Sequence, residues 1–214
     1  MILEEVLEFG LFKNYFEQKP IKDIDKSCCT LDNMIIDFDK TKEMICSESS
    51  QVTRKSCDGL CLNESIDFIE FKSINNFFDK EFKYKLTSNS QNLVESEIIK
   101  EKVLDFNFDK KIRDSLWIFD FILNHHELRL NNSKLEKCYD NSIEKNYYIV
   151  KDNYQPLIDL ALSFNALSGL ENNQLSNRKT MDILINEDLS KIILIKKPKL
   201  INCDELKEIL KEES

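Results

Sequence analysis

Two β-prone runs, residues 51–62 and 66–73, flank the polar tripeptide Asn63-Glu64-Ser65. β-Branched and aromatic residues fit a pleated surface, and a short polar break lets the chain reverse, so the middle of the sequence reads as a hairpin. Apolar spacing elsewhere supplies helices to flank it. Residues 2–17 place Ile2, Leu3, Val6, Leu7, Phe9 and Leu11 at helical intervals, and Pro20 blocks continuation. Asp109 is placed to cap a helix carrying Ile112, Leu116, Phe119 and Leu123 on one face, with Trp117 and Phe121 widening that stripe into the core.

Only three glycines and three prolines punctuate the 214 residues, so turns must be read from clusters of Asn, Asp and Ser. On that basis residues 34–38 and 43–47 form a hairpin around the polar turn 39–42. The stretch 75–107 is mixed and polar. A strand over 147–150 precedes a helix over 155–167, with Pro156 in its first turn and Gly169 past its end. Residues 170–180 read as a loop, 181–185 and 191–196 as a further hairpin, and 205–212 as a closing helix. The expectation is a three-layer α/β or α+β fold, a mixed central sheet flanked by helices, in a single domain over residues 1–214.

Hydrophobic residues make up 42% and charged residues 32%, which excludes a disordered chain. No apolar run approaches the ~20 residues of a membrane-spanning helix, and the opening MILEEVLEFG carries acids where a signal peptide carries bases. A cytoplasmic protein is expected, with its seven scattered cysteines reduced. A zinc site is disfavoured, because paired C-x2-C spacing is missing and the histidines are only His125 and His126, adjacent at a helix end where they are favourable charges. Cys57 and Cys61 would share a face if they sat on one strand, as buried thiols without chemistry.

Net charge −9 opposes indiscriminate affinity for a phosphate backbone. Nucleic acid as a partner would then need a divalent cation, or a second copy or protein partner. Lys72, Lys80, Lys83 and Lys85 form one basic cluster and Lys191, Lys196, Lys197 and Lys199 another, the latter reading mainly as a solvated face.

Glu-x-Lys occurs four times, starting at Glu17, Glu70, Glu81 and Glu205, so the tripeptide alone means nothing in this composition. Glu70-Phe71-Lys72 differs in its setting, directly after the apolar strand that follows the hairpin turn. Alternation puts Glu70 and Lys72 on one sheet face and Phe71 on the other. With a three-residue loop at 63–65, Leu62 pairs with Ile66 and Asp58 falls opposite Glu70, at a Cβ separation of ~5 Å, with Lys72 as a diagonal neighbour. Opposed like charges are unfavourable, and a bound cation is the natural compensation. A one-residue change in loop length would dissolve the arrangement.

The segment Ser56-Cys57-Asp58-Gly59-Leu60 through Ile66-Asp67-Phe68-Ile69-Glu70-Phe71-Lys72-Ser73 resembles the PD-(D/E)xK nuclease superfamily, of restriction-endonuclease-like fold. The motif covers about a tenth of the chain, and Cys57 stands where the name-giving proline would. The resemblance implies hydrolysis of phosphodiester bonds in nucleic acid, DNA ahead of RNA, dependent on Mg2+ or Mn2+. It makes Asp58 and Glu70 the metal ligands and Lys72 the catalytic lysine. A further acid from the first helix is implied too, for which Glu4, Glu5 and Glu8 qualify and Glu5 is preferred. Such proteins act in restriction, phage defence, repair and mobile elements. Two alternatives stand beside this. The three residues can be a solvated charge cluster on an exposed sheet face, or a silent nuclease-like fold can act as a binding, inhibitor or regulatory protein. Asp37 and Asp39 could extend an acidic site, although acids beside a turn are ordinary.

Overall fold

The computed structural model describes residues 15–48, 54–88, 94–124, 143–153, 168–195 and 198–212. They build a six-stranded mixed sheet with flanking helices, an α/β fold. The strands are β1 (Gln18–Pro20), β2 (Met34–Asp37), β3 (Gly59–Leu62), β4 (Ile66–Lys72), β5 (Lys145–Lys151) and β6 (Lys199–Asn202), neighbours in that order. Strands β1 to β4 pair antiparallel, while β5 and β6 run parallel to β4 and to each other.

The helices are α1 (Ile21–Ile24), α2 (Phe38–Glu48), α4 (Glu95–Phe106), α5 (Phe108–Asn124), α6 (Ser168–Leu189) and α7 (Cys203–Glu212). Between β4 and α4 lies α3, three abutting pieces at Ile74–Asn76, a π-helical Phe77–Phe82 and Lys83–Ser88. Strand alternation divides the core in two. Leu60, Leu62, Ile66, Phe68, Tyr147 and Ile149 face a large cluster with side chains of α2 to α6. Ile35, Cys61, Ile69, Phe71, Tyr148 and Val150 face a smaller one capped by Ile21 of α1 and by Leu206 and Leu210 of α7. The sheet is therefore the middle of three layers. Its central strand β4 is buried along Ile66 to Phe71, which is why it reads as a nearly continuous apolar run.

The central hairpin has the expected loop and register: Leu62 pairs with Ile66, Leu60 with Phe68 and Gly59 with Ile69. Strand β3 is shorter than expected, because 54–58 are not strand. Strand β5, helix α5 and the closing helix also fall where sequence spacing puts them, although α5 starts one residue before Asp109. Asn107, at φ 54°, ends α4 in the left-handed region that Asn tolerates, and its carbonyl accepts the Lys111 N–H, so α5 begins at once.

Several expectations fail for physical reasons. Residues 43–47 are not a strand: Asp37 Oδ1 accepts the Lys40 N–H, capping a helix whose buried residues Phe38, Thr41 and Ile45 recur at helical spacing. The polar stretch 170–180 and residues 181–185 are also helical, within α6, where Met181, Ile185 and Leu189 recur every fourth residue in the large cluster. Buried Arg178 anchors that helix, its Nε donating to Asn75 Oδ1 and its guanidinium 4.8 Å from the Phe78 ring. Residues 191–195 form no strand, and β6 follows instead. The described parts of the mixed, polar stretch 75–107, residues 75–88 and 94–107, are largely helical.

Tyr15 to Glu17, the end of the expected first helix, are not helical. Residues 2–14 of that helix, the expected helix over 155–167, His125, His126 and Cys138 lie outside the described residues. The cysteines are not all reduced. Cys29 and Cys203, 174 positions apart, form a disulfide with Cα atoms 5.5 Å apart, a pairing that linear spacing could not reveal. Cys57 and Cys61 fall in different clusters, on opposite faces of the sheet.

Candidate active site

Asp58 is the last residue before β3, and the register that pairs Gly59 with Ile69 sets it beside the end of β4. Its Oδ2 accepts the Phe71 N–H at 2.7 Å. The segment leading to it is fixed from α5. Asp114, 4% exposed, accepts the Lys55 N–H at 3.0 Å and Arg54 Nη1 at 3.4 Å, and Ser115 Oγ accepts the Cys57 N–H at 2.9 Å. Arg54 lies 3.7 Å over the Trp117 ring. Asp114→Ala should therefore cost about 2 kcal/mol, since it removes the buried acceptor shared by the Lys55 N–H, Arg54 and the Lys110 ammonium. In thermal melts that corresponds to a drop of roughly 5 °C. Asp109→Ala, which removes an exposed ion pair with Arg113 on the same helix, should change stability by less than about 0.5 kcal/mol. Equal losses in the two variants would refute the anchoring role.

Glu70 is fully buried, and its Oε1 accepts from two ammonium groups, Lys72 of the same strand and Lys111 of α5. Its Oε2 is buried with no hydrogen-bond partner. Lys72 also donates to the Phe71 carbonyl at 2.9 Å and sits 5.4 Å over the Phe106 ring. Two carboxylates and two ammoniums thus occupy one neighbourhood, with formal charges that cancel.

Asp58 and Lys72, but not Glu70 or Lys111, line a cleft of about 390 Å³ together with Asp23, Ile24, Asp25, Asp37, Asp39 and Phe71. It lies where β2 and β4 end and β3 begins, at the carboxyl end of the parallel strands, the position open α/β sheets commonly use for ligands. Lys19 is paired with Asp37 and Lys42 with Asp39, each at 2.6 Å. Asp37 and Asp39 do join the acidic site, but from the end of β2 and the first turn of α2, not from one strand.

Burial, reinforced by the Glu70 charge, pushes the Asp58 carboxyl up to about 7 against the pull of Lys72, Lys111 and the Phe71 N–H. Burial alone would lower the Lys111 ammonium, yet Glu70 and Asp58 overcome it and raise it to about 12. The Cys57 thiol and Tyr147 hydroxyl beside them are held well above their ordinary values, chiefly by burial, and stay neutral. The folded chain holds the Asp58 proton more tightly than the unfolded chain, so the contribution of Asp58 to stability is full below about pH 4 and is lost as pH climbs towards about 7. Metal-free protein should become easier to denature over that interval, and Asp58→Asn should flatten the slope. Mn2+ affinity, which needs the carboxylate, should rise between about pH 6 and 8. A pH slope identical in Asp58→Asn would contradict the assignment.

The fit to a divalent cation can be judged from these groups. Among the described residues no set of three or more His, Cys, Asp or Glu side chains is arranged to hold a metal ion. Mg2+, however, is usually held by one or two carboxylates with water completing its shell. Glu70 Oε2 is an oxygen of the right hardness without a partner, and Asp58 lines the adjoining cleft. The donor set fits.

Asp58, Glu70 and Lys72 are thus brought together. Lys80, Lys83, Lys85, Lys191 and Lys199 do not line the cleft, and Lys83, Lys85 and Lys191 pair with Asp79, Glu101 and Asp188. Glu4, Glu5, Glu8, Lys196 and Lys197 lie outside the described residues. The residue missed by sequence reasoning is Lys111. Its signal was present, because Lys111 shares a helix stripe with buried Ser115, Ile118 and Ile122, where a lysine must find a counter-charge. Comparison of the chain with protein-family models, curated proteins and solved structures returns no match. No helix among the described residues is long and apolar enough to cross a membrane.

Proposed function

We propose that the chain is a divalent-cation-dependent nuclease that hydrolyses phosphodiester bonds in nucleic acid, DNA ahead of RNA. Asp58 and Glu70 would hold Mg2+ or Mn2+, and Lys72 would be the catalytic lysine. The observation that carries the reading is the pair of carboxylates itself: buried Glu70 keeps one oxygen without a partner beside an Asp58 that burial has pushed up. A buried polar atom left alone costs about 1–3 kcal/mol, and a cation reached from the acidic cleft would satisfy it. The order of elements, with antiparallel strands, the acid hairpin, helices and then further sheet, supports the same reading.

When bound, the cation would supply an acidified water and neutralise charge on phosphate oxygens. The chain's own residues do the rest. Asp58 stays oriented through the Phe71 N–H, and Glu70 through its ammonium partners. Lys72, 16% exposed and at the cleft wall, would move a proton at Nζ to or from an attacking water.

The acidic lining repels a phosphate backbone. Nucleic-acid binding should therefore require Mg2+, a second copy or a protein partner, and should weaken steeply with salt. A role in restriction, phage defence, repair or mobile elements, in the cytoplasm, goes with this reading; a reducing cytoplasm would open Cys29–Cys203. One observation favours a catalytically silent binding or regulatory protein instead: both ammoniums already converge on Glu70 Oε1, as in a self-contained ion cluster. Titration of Mg2+ against a mixed panel of single- and double-stranded DNA and RNA separates the two. Metal-dependent cleavage supports the nuclease, and a panel left intact at every metal concentration rejects it.

A further inference from the structure

Two ammoniums share one Glu70 oxygen, one more than Glu70 alone needs; the second balances the formal charge of Asp58 but adds repulsion from the first. The two are not equivalent. Lys72 lines the cleft and has a second acceptor in the Phe71 carbonyl, together with the face of the Phe106 ring, so it keeps partners if it turns away from Glu70. Lys111 comes from α5, a different element, and its ammonium meets Glu70 behind the cleft rather than in its lining. Its neighbours along the same helix, Asp114 and Ser115, fix the segment that carries Asp58.

We infer that Lys111 is a positioning residue: it holds Glu70 in place and offsets its charge, so that Lys72 can leave Glu70 and work in the cleft. The inference rests on the nuclease reading for what Lys72 does there, but the division of labour between the lysines is a property of this chain. With Lys111 absent, one ammonium would face two carboxylates and Lys72 would be held on Glu70. α5 would then act on both halves of the site, anchoring the approach to Asp58 by backbone hydrogen bonds and Glu70 by charge.

The test compares the intact chain with Lys111→Met and Lys111→Arg, each corrected for its folded fraction. In Lys111→Met the Lys72 ammonium, followed by its 15N–1H signal without metal, should exchange hydrogen about tenfold more slowly because it is locked on Glu70. Lys111→Arg should restore the exchange rate to within about threefold, since a guanidinium supplies the same charge. With Mg2+ and a cleaved substrate, kcat in Lys111→Met should fall about 10- to 100-fold with KM little changed. Unchanged Lys72 exchange in Lys111→Met overturns the inference whether or not the intact protein cleaves anything. Slowed exchange in a protein that cleaves nothing upholds the positioning role and rejects the nuclease reading alone. If Lys111→Met does not fold, failure of Lys111→Arg to reproduce the Lys72 exchange rate of the intact chain overturns it.

Discussion

Glu70→Ala should abolish Mn2+ binding and nucleic-acid cleavage together, and should also destabilise the fold. Glu70 is fully buried and carries both lysine contacts, so its removal leaves Lys72 and Lys111 facing each other without their shared counter-charge. Removing one partner of a buried ion pair typically costs about 3–5 kcal/mol. The same substitution deletes the carboxylate whose free oxygen fits the cation, so affinity and turnover should disappear at temperatures where the variant remains folded. Circular dichroism at the temperature of the binding assay separates the two effects. A folded Glu70→Ala that binds Mn2+ as the intact chain does would show that Glu70 is structural only.

Lys72→Ala should behave differently. A lysine contributes no metal ligand, and Lys111 remains on Glu70, so Mn2+ affinity should persist or tighten as a competing positive charge leaves. Cleavage should nevertheless fall by about 10²- to 10⁴-fold if the Lys72 ammonium transfers a proton to or from the attacking water. Because Lys72 is only 16% exposed and stacks over Phe106, a modest loss of stability is expected as well. Rates are therefore to be compared per folded molecule. Turnover equal to that of the intact chain would reject this mechanism even with the fold unchanged.

The hairpin was legible because its signals are local. Three polar residues between apolar runs set the loop, the loop sets the register as far as Gly59 and Ile69, and Asp58, one residue beyond the ladder, meets the end of β4 at the Phe71 N–H. Lys111 was harder to see, because its partner lies 41 residues away and only the fold reveals which helix face meets β4. Helix α6 is hidden in the sequence for a related reason. Its first half is polar, and what holds it is tertiary, the burial of Arg178 against Asn75 and Phe78 together with Met181, Ile185 and Leu189. Helix α2 was misread because the short run Glu43 to Ser47 is ambiguous between strand and helix. The decisive signal was the cap offered by Asp37 to the Lys40 N–H, which lies outside that run. The Cys29–Cys203 pair depends on α7 returning over the small face of the sheet, a long-range event that no spacing encodes.

Calorimetric titration of Mn2+ into the metal-free protein asks whether Asp58 and Glu70 form a divalent-cation site. Binding should be saturable, strengthen from about pH 6 to 8 and be lost in folded Glu70→Gln, where an amide replaces the carboxylate. Binding that is absent from the intact chain at every pH, or that survives unchanged in Glu70→Gln, would contradict it.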